Sequence, residues 1–240
     1  MTASYCIPLI FLAAGFTQGV SGFGSALVAM PLLTLFLDIK IAVPLCMLNG
    51  LIITSYLSLQ LRRHADWQKI TPLLIGGLPG IVLGASFLKE ADGNLIKLLL
   101  GLMITSYALA NLLLTPAPRP IRPVWAYVAG FFTGVIGSAF SAGGPPVIIY
   151  TTLTGWSKDD IKATLSVFFF TTGVAAVVAH AVSGLTTLTV LRYHALSAAF
   201  VLLGVWAGSL CYGRIKRESY LRIVLSLLVV MGGMMIVSAI

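Results

Sequence analysis

A chain of 240 residues in which 58% of side chains are hydrophobic, only 9% are charged and the mean hydropathy is +1.01 has too little polar surface to cover a soluble domain of its size. Soluble domains carry roughly 25% charged residues. An ordinary soluble enzyme or binding module is therefore excluded, and lipid must be the solvent around most of the surface. The formal charge of +8 does not point to nucleic acid, because the 15 Lys and Arg sit between apolar runs and not along one face. That placement is the signature of cytoplasmic loops facing anionic lipid. Cys6, Cys46 and Cys211 lie in apolar stretches without CxxC or Cys/His spacing, so no metal, cofactor or disulfide is implied.

The N-terminal stretch MTASYCIPLIFLAAGF has no basic n-region and runs on into a Gly-rich segment, so it is expected to belong to the mature fold. Charges and Pro/Gly clusters then divide the chain into eight apolar segments, at 5–37, 41–61, 70–88, 95–114, 124–156, 161–183, 190–212 and 220–240. Six of them are 19–23 residues long, enough to span about 30 Å of hydrocarbon at 1.5 Å per residue. The first and fifth exceed 30 residues and contain glycine clusters, so each is expected to be broken or to fold as a hairpin. The predicted fold is all-α and integral to the membrane, with 8–10 membrane helices.

The two long segments resemble each other. AGFTQGVSGFGSALVAMPLL and AGFFTGVIGSAFSAGGPPVI align at a shift of 115, which places Gly15, Phe16, Gly19, Val20, Gly22 and Pro31 on Gly130, Phe131, Gly134, Val135, Gly137 and Pro146. Further along, Ile39-Lys40 falls on Ile161-Lys162, Gly80/Gly84 on Gly204/Gly208 and Lys97 on Arg222, at shifts of 122 to 125. Two transmembrane repeats are expected, 1–114 and 124–240, joined by a linker at 115–123 within one membrane domain.

Loop charge sets their relative orientation. If every segment crosses once, nine Lys/Arg lie on one side and six on the other. If the two long segments fold back, eleven gather on the cytoplasmic side (Arg62, Arg63, Lys69, Arg119, Arg122, Lys158, Lys162, Arg214, Lys216, Arg217 and Arg222) and four remain outside (Lys40, Lys89, Lys97 and Arg192). The second arrangement obeys the positive-inside rule better. It makes the repeats inverted, as in many secondary transporters, and puts both termini outside the cell (inner) membrane.

Gly19-Val20-Ser21-Gly22-Phe23-Gly24-Ser25 cannot be a stable uninterrupted helix, and Gly137–Pro146 ends in two prolines that suit the first turn of a new helix near Pro145. Such breaks survive in hydrocarbon only beside protein or a water-filled cavity. They expose half-helix N-termini, which attract anions. Ser21, Ser25, Ser138 and Ser141 can add hydroxyls, while Gly22, Gly24, Gly137, Gly143 and Gly144 permit close approach to the backbone. Inversion is expected to bring the breaks together near the midplane around a small oxyanion. The GxxxG pairs have a second reading as helix-packing positions.

At these residues the chain resembles the sulfite exporter TauE/SafE family. The features that carry the resemblance are a GxxxGxxGxGxxxxxxP element, here Gly15, Gly19, Gly22, Gly24 and Pro31, and a mid-chain copy at Gly130, Gly134, Gly137, Pro145 and Pro146. The resemblance implies transport of a sulfur-containing anion such as sulfite, sulfoacetate, another organosulfonate or thiosulfate. The second copy departs from the first, with Ser138-Ala139 where the first has Phe23-Gly24, so the two sides of the site are unequal.

Among single residues, Gln18 and Thr133 precede the breaks by one turn and can donate to substrate oxygen or bond across helices. Asn49 and Thr171, paired at a shift of 122, can face the cavity. Phe23 and Phe140 can gate the site or pack in the core. His180 is either a proton relay or, the preferred reading, an interfacial residue. Ser157 with Asp159 and Asp160 suits a helix cap and first turn. No HExxH, Cys/His cluster or Ser/His/Asp arrangement supports an enzyme. The expected function is alternating-access transport of a small anion, with a passive anion channel as the alternative. Its partners are the anion, the bilayer, a coupling proton or sodium ion, and a second copy of the chain in a homodimer.

Overall fold

The computed structural model describes residues 2–113, 121–212 and 217–240, and every regular element among them is helical. The helices are α1 (Thr2–Ser21), α2 (Ser25–Leu33), α3 (Ile39–Gln60), α4 (Trp67–Glu90), α5 (Gly93–Leu113), α6 (Val124–Phe140), α7 (Gly144–Leu153), α8 (Lys158–Val182), α9 (Leu188–Cys211) and α10 (Arg217–Ala239). A short 3₁₀ turn, Arg62–His64, joins α3 to α4. Most of the proposed linker, with Arg119, Arg214 and Lys216, lies outside the described residues, as do the side chains of Lys158, Arg217 and Arg222.

Polar caps stop and start the chain where the charges sit. Asp38 accepts from the Lys40 N–H at 2.7 Å, Asp66 from Gln68 N–H at 2.9 Å, and Ser157 from Asp160 N–H at 3.1 Å, as its sequence position anticipates. Between the caps, α3, α4, α5, α8 and α9 are each long and apolar enough to cross a membrane, and Tyr5–Ser21, Val124–Phe140 and Val224–Ala239 are shorter apolar helices. Val82, Leu83, Leu102, Leu203, Trp206 and Leu210 point outward and are exposed, which in water would be a severe liability and in lipid is the ordinary outer face. The chain is a multi-pass membrane protein.

Glycine seams hold the bundle together. α1 packs along α9, and α4 along α6. A Cβ on Gly15 would lie 2.5 Å from the Val201 carbonyl oxygen, and one on Gly19 2.6 Å from that of Val205. Gly204 and Gly208 return the contact on the Leu12 and Phe16 carbonyls. In the other seam Gly80 and Gly84 meet Phe131 and Val135, while Gly130 and Gly134 meet Leu73 and Gly77. All four GxxxG pairs are thus packing elements. They let backbones approach where lipid supplies no hydrophobic drive for helix association.

Each long apolar segment is two helices, and the members of each pair pack against one another. The first break turns on Gly22 and Gly24, with φ of 86° and 94°, a region that other L-residues rarely enter. The second turns on Ser141 (φ 58°), whose N–H caps α6 by bonding to the Gly137 carbonyl at 2.7 Å, and α7 begins at Gly144 with Pro145 and Pro146 in its first turn.

Candidate functional site

A cavity of about 100 Å³ lies between α3, α4, α6 and α8, and residues of both breaks line it. From the first break come Gln18, Gly24, Ser25, Ala26 and Leu27, and from the second Ser138, Ser141, Ala142, Gly143 and Gly144, with Thr133 and Gly137 beside them on α6. No Asp, Glu, Lys or Arg stands on this wall among the described residues.

The start of α2 is the most polarised part of the wall. The first three N–H groups of a helix have no acceptor within it, and the Gly24 cap has no side chain to supply one. Ser25, Ala26 and Leu27 therefore present their N–H groups at the positive end of a helix dipole, and all three line the cavity. α7 offers less. Pro145 and Pro146 have no N–H, so its first turn contributes the Gly144 N–H alone from its first three residues. Gly143 is forced to be glycine by geometry, since a Cβ there would sit 2.5 Å from the Thr133 carbonyl and 2.7 Å from the Gly137 Cα. That contact folds the break back onto α6.

Side-chain hydroxyls complete the polar patch. The Ser25 hydroxyl donates to Gln18 Oε1 across the first break. The Thr133 hydroxyl is buried on the wall without a hydrogen-bond partner among the described residues. Such a group is costly unless something else satisfies it. Cys46, Met47, Ile81 and Phe169 add apolar surface to the lining, so the cavity offers polar groups together with carbon.

Four of the residues expected in the site stand elsewhere. The Ser21 hydroxyl lies 2.7 Å from the Thr17 carbonyl and 2.6 Å from that of Phe23, committed to the turn itself. Gly22 rests against the Lys162 stem. Phe23 packs with Leu73, Val147 and Phe168, and helps to wall a second cavity of about 40 Å³ that reaches Tyr107 and Asn111 of α5. Asn49 is fully buried, donating to the Leu45 carbonyl at 3.0 Å and accepting from the Ser197 hydroxyl at 3.1 Å. Its expected partner Thr171 bonds the Val167 carbonyl at 3.0 Å. Their neighbours Gly50 and Thr172 face the cavity instead. A step of one residue turns a helix by about 100°, which separates each residue from its cavity-facing neighbour.

Two further placements differ from the sequence reading. Lys162, grouped there with loop charges, is buried at 5% exposure, its ammonium donating to the Gly19 carbonyl at 3.0 Å and lying 3.5 Å from the centre of the Tyr212 ring. His180, read as interfacial, has no exposed surface and lies 2.8 Å from the Ser138 carbonyl oxygen. The first break touches α8 at Lys162 and the last turn of α6 touches it at His180, and residues of both breaks line the one cavity.

A helical bundle with an apolar outer face and a polar cavity walled by interrupted helices has the build of a membrane transporter. The chain belongs to the sulfite exporter TauE/SafE family, whose model matches residues 7–235. It is similar to a curated protein of Cupriavidus necator described as "Probable sulfite/organosulfonate exporter TauE", with 28% identity over 194 residues, covering 72% of each chain. No solved structure matches it.

Proposed function

We propose that the protein is a secondary carrier that moves sulfite or a small organosulfonate across the cell membrane by alternating access between two inverted repeats, 1–114 and 124–240. The observation that carries this reading is the single cavity lined from both breaks, with the free N–H groups of Ser25, Ala26 and Leu27 on one side and no acidic residue on its wall. The sulfur oxyanion sits against those N–H groups, the Gly144 N–H and the hydroxyls of Thr133, Ser138 and Ser141. The Gln18 amide, with its oxygen committed to Ser25, adds its NH₂. A short carbon chain lies toward Met47, Ile81 and Phe169. Ser21, Gly22, Phe23 and Asn49 shape the site from behind.

Reciprocal packing supports the repeats. The first helix of each half lies on the fourth helix of the other, α1 on α9 and α6 on α4, as a two-fold pseudosymmetry requires. The name of the Cupriavidus relative supports the sulfur oxyanion as substrate and outward transport as direction. The passive channel weighed as the alternative finds no such support.

The test is a thermal-shift screen of the purified protein against sulfite, thiosulfate, sulfoacetate, taurine, sulfate and chloride, followed by flux of the best ligand in proteoliposomes. Selective stabilisation by a sulfite or sulfonate ligand, with saturable flux, is expected. Equal response to all six, or to none, sinks the reading.

A further inference from the structure

We infer that His180 is a proton-binding site coupled to the anion cavity, so that the anion and a proton are held together. This inference rests on the carrier reading above. His180 has no solvent-exposed surface, although histidine is a titratable side chain and its helix walls the cavity one turn earlier at Ala176. Its Nε2 lies 2.8 Å from the Ser138 carbonyl and 3.4 Å from the Ser138 hydroxyl. A carbonyl can only accept, so Nε2 carries the hydrogen. Nδ1 of the neutral ring then holds a lone pair, buried and without a partner among the described residues. A histidine kept only to pin α8 to α6 needs one nitrogen, and this ring has a second one in reserve.

The position gives that nitrogen a task. Ser138 is both the partner of His180 and part of the cavity wall, so a charge on the ring stands one residue behind the anion. The carbonyl that it touches belongs to the last turn of α6, where a positive charge is favoured by the helix dipole. A proton taken from water onto Nδ1 adds a unit of positive charge to a wall that has none, and leaves to water again when the anion departs. No bond other than N–H forms or breaks.

Among the described residues no other titratable side chain is hydrogen-bonded to the ring, although His194 of α9 also has a buried Nδ1 without a partner. From α6 the ring's hydrogen-bond partner among the described residues is Ser138. α4 brings Lys89 and Glu90, both exposed at its end. α3 brings Asp38, Lys40 and Cys46, and Lys40 bonds the Lys89 carbonyl at 2.9 Å. α9 carries Arg192, Tyr193 and His194 near its start. The remaining charges of α8, Asp159, Asp160 and Lys162, lie at its opposite end. None of these is hydrogen-bonded to the ring among the described residues.

The experiment uses the full chain in detergent and methanesulfonate as a probe whose own charge does not change with pH. Sulfite, which titrates, is avoided. Affinity is measured by calorimetry at about pH 5.5 and about pH 8.5, on either side of an ordinary histidine, in two buffers of different ionisation enthalpy. Binding about tenfold tighter at the lower pH, with net proton uptake, is expected. His180→Gln can still donate to Ser138 but cannot titrate, so it should bind the anion with both effects lost, while His194→Gln keeps them. If H180Q does not fold, the H64Q/H194Q double variant leaves His180 as the sole histidine, and its ring ¹⁵N shifts report whether the anion raises Nδ1 protonation. Binding of equal strength at both pH values without proton uptake overturns this inference alone. No binding at either pH overturns the carrier reading and this inference with it.

Discussion

The Lys162 ammonium of α8 donates at 3.0 Å to the carbonyl of Gly19, in the last turn of α1. The last carbonyls of a helix lack partners within it and carry the negative end of its dipole, so a cation from the other half of the chain finishes α1 just before the first break. The Lys162 stem occupies the space over Gly22, where a Cβ would lie 2.8 Å from Lys162 Cγ. Gly22→Ala should cost about 2 kcal/mol from the positive φ, and more from the displaced lysine. Lys162→Ala should cost about 1–3 kcal/mol by uncapping α1. The double variant should be less destabilised than the sum, because the obstruction is gone. A double-mutant cycle of thermal stability in detergent measures the coupling, and strict additivity would refute it.

The glycine seams and the isolated glycines should respond in opposite directions. Gly134→Val drives a side chain into the Gly77 carbonyl and should cost about 3 kcal/mol or more, with loss of the monodisperse peak in size exclusion. Gly233 of α10 has nothing within 4 Å of an added Cβ, so Gly233→Ala should hold or raise stability by about 0.5–1 kcal/mol through helix propensity.

Within the cavity, shape and chemistry can be separated. Gly50 also has nothing within 4 Å of a Cβ, yet it lines the wall. Gly50→Val should leave the melting temperature unchanged within a few degrees and abolish flux by filling the anion's place. Thr133→Val removes the unpartnered hydroxyl at nearly constant volume. It should leave stability intact or improved and raise KM about tenfold, the worth of one hydrogen bond to a charged group. A KM unchanged in Thr133→Val would remove that residue from the site.

The charge asymmetry of the loops predicts topology. Alkaline phosphatase fused after Ile240 should be active, and inserted in the Arg62–His64 turn it should be inactive. Activity in the reverse pattern would turn the whole orientation over.

Composition and the two Gly-rich breaks were legible in the sequence because they are local. Fewer charges than a soluble surface needs, and glycines and prolines at matching places, state their consequences without reference to neighbours. The broken segments, the α7 start beside Pro145 and the Ser157 cap follow directly. Helical phase was harder. Polarity points to Asn49 and Thr171, while the cavity is lined by their neighbours Gly50 and Thr172, because a sequence does not state the rotation of a helix about its axis. The buried positions of Lys162 and His180 were illegible for a different reason. Each lies near an end of α8, where sequence suggests an interface, and each is drawn inward by a carbonyl of a helix distant in the chain, Gly19 for one and Ser138 for the other.

The two seams determine which parts can behave as solid pieces. α1 is fastened to α9, and α4 to α6, at a closeness that only glycine tolerates, and each joint ties residues before 114 to residues after 123. Sliding one half of the sequence past the other would rip both joints open at once. The pieces that stay joined are therefore two helix pairs, α1 with α9 and α4 with α6, each drawn from both ends of the chain.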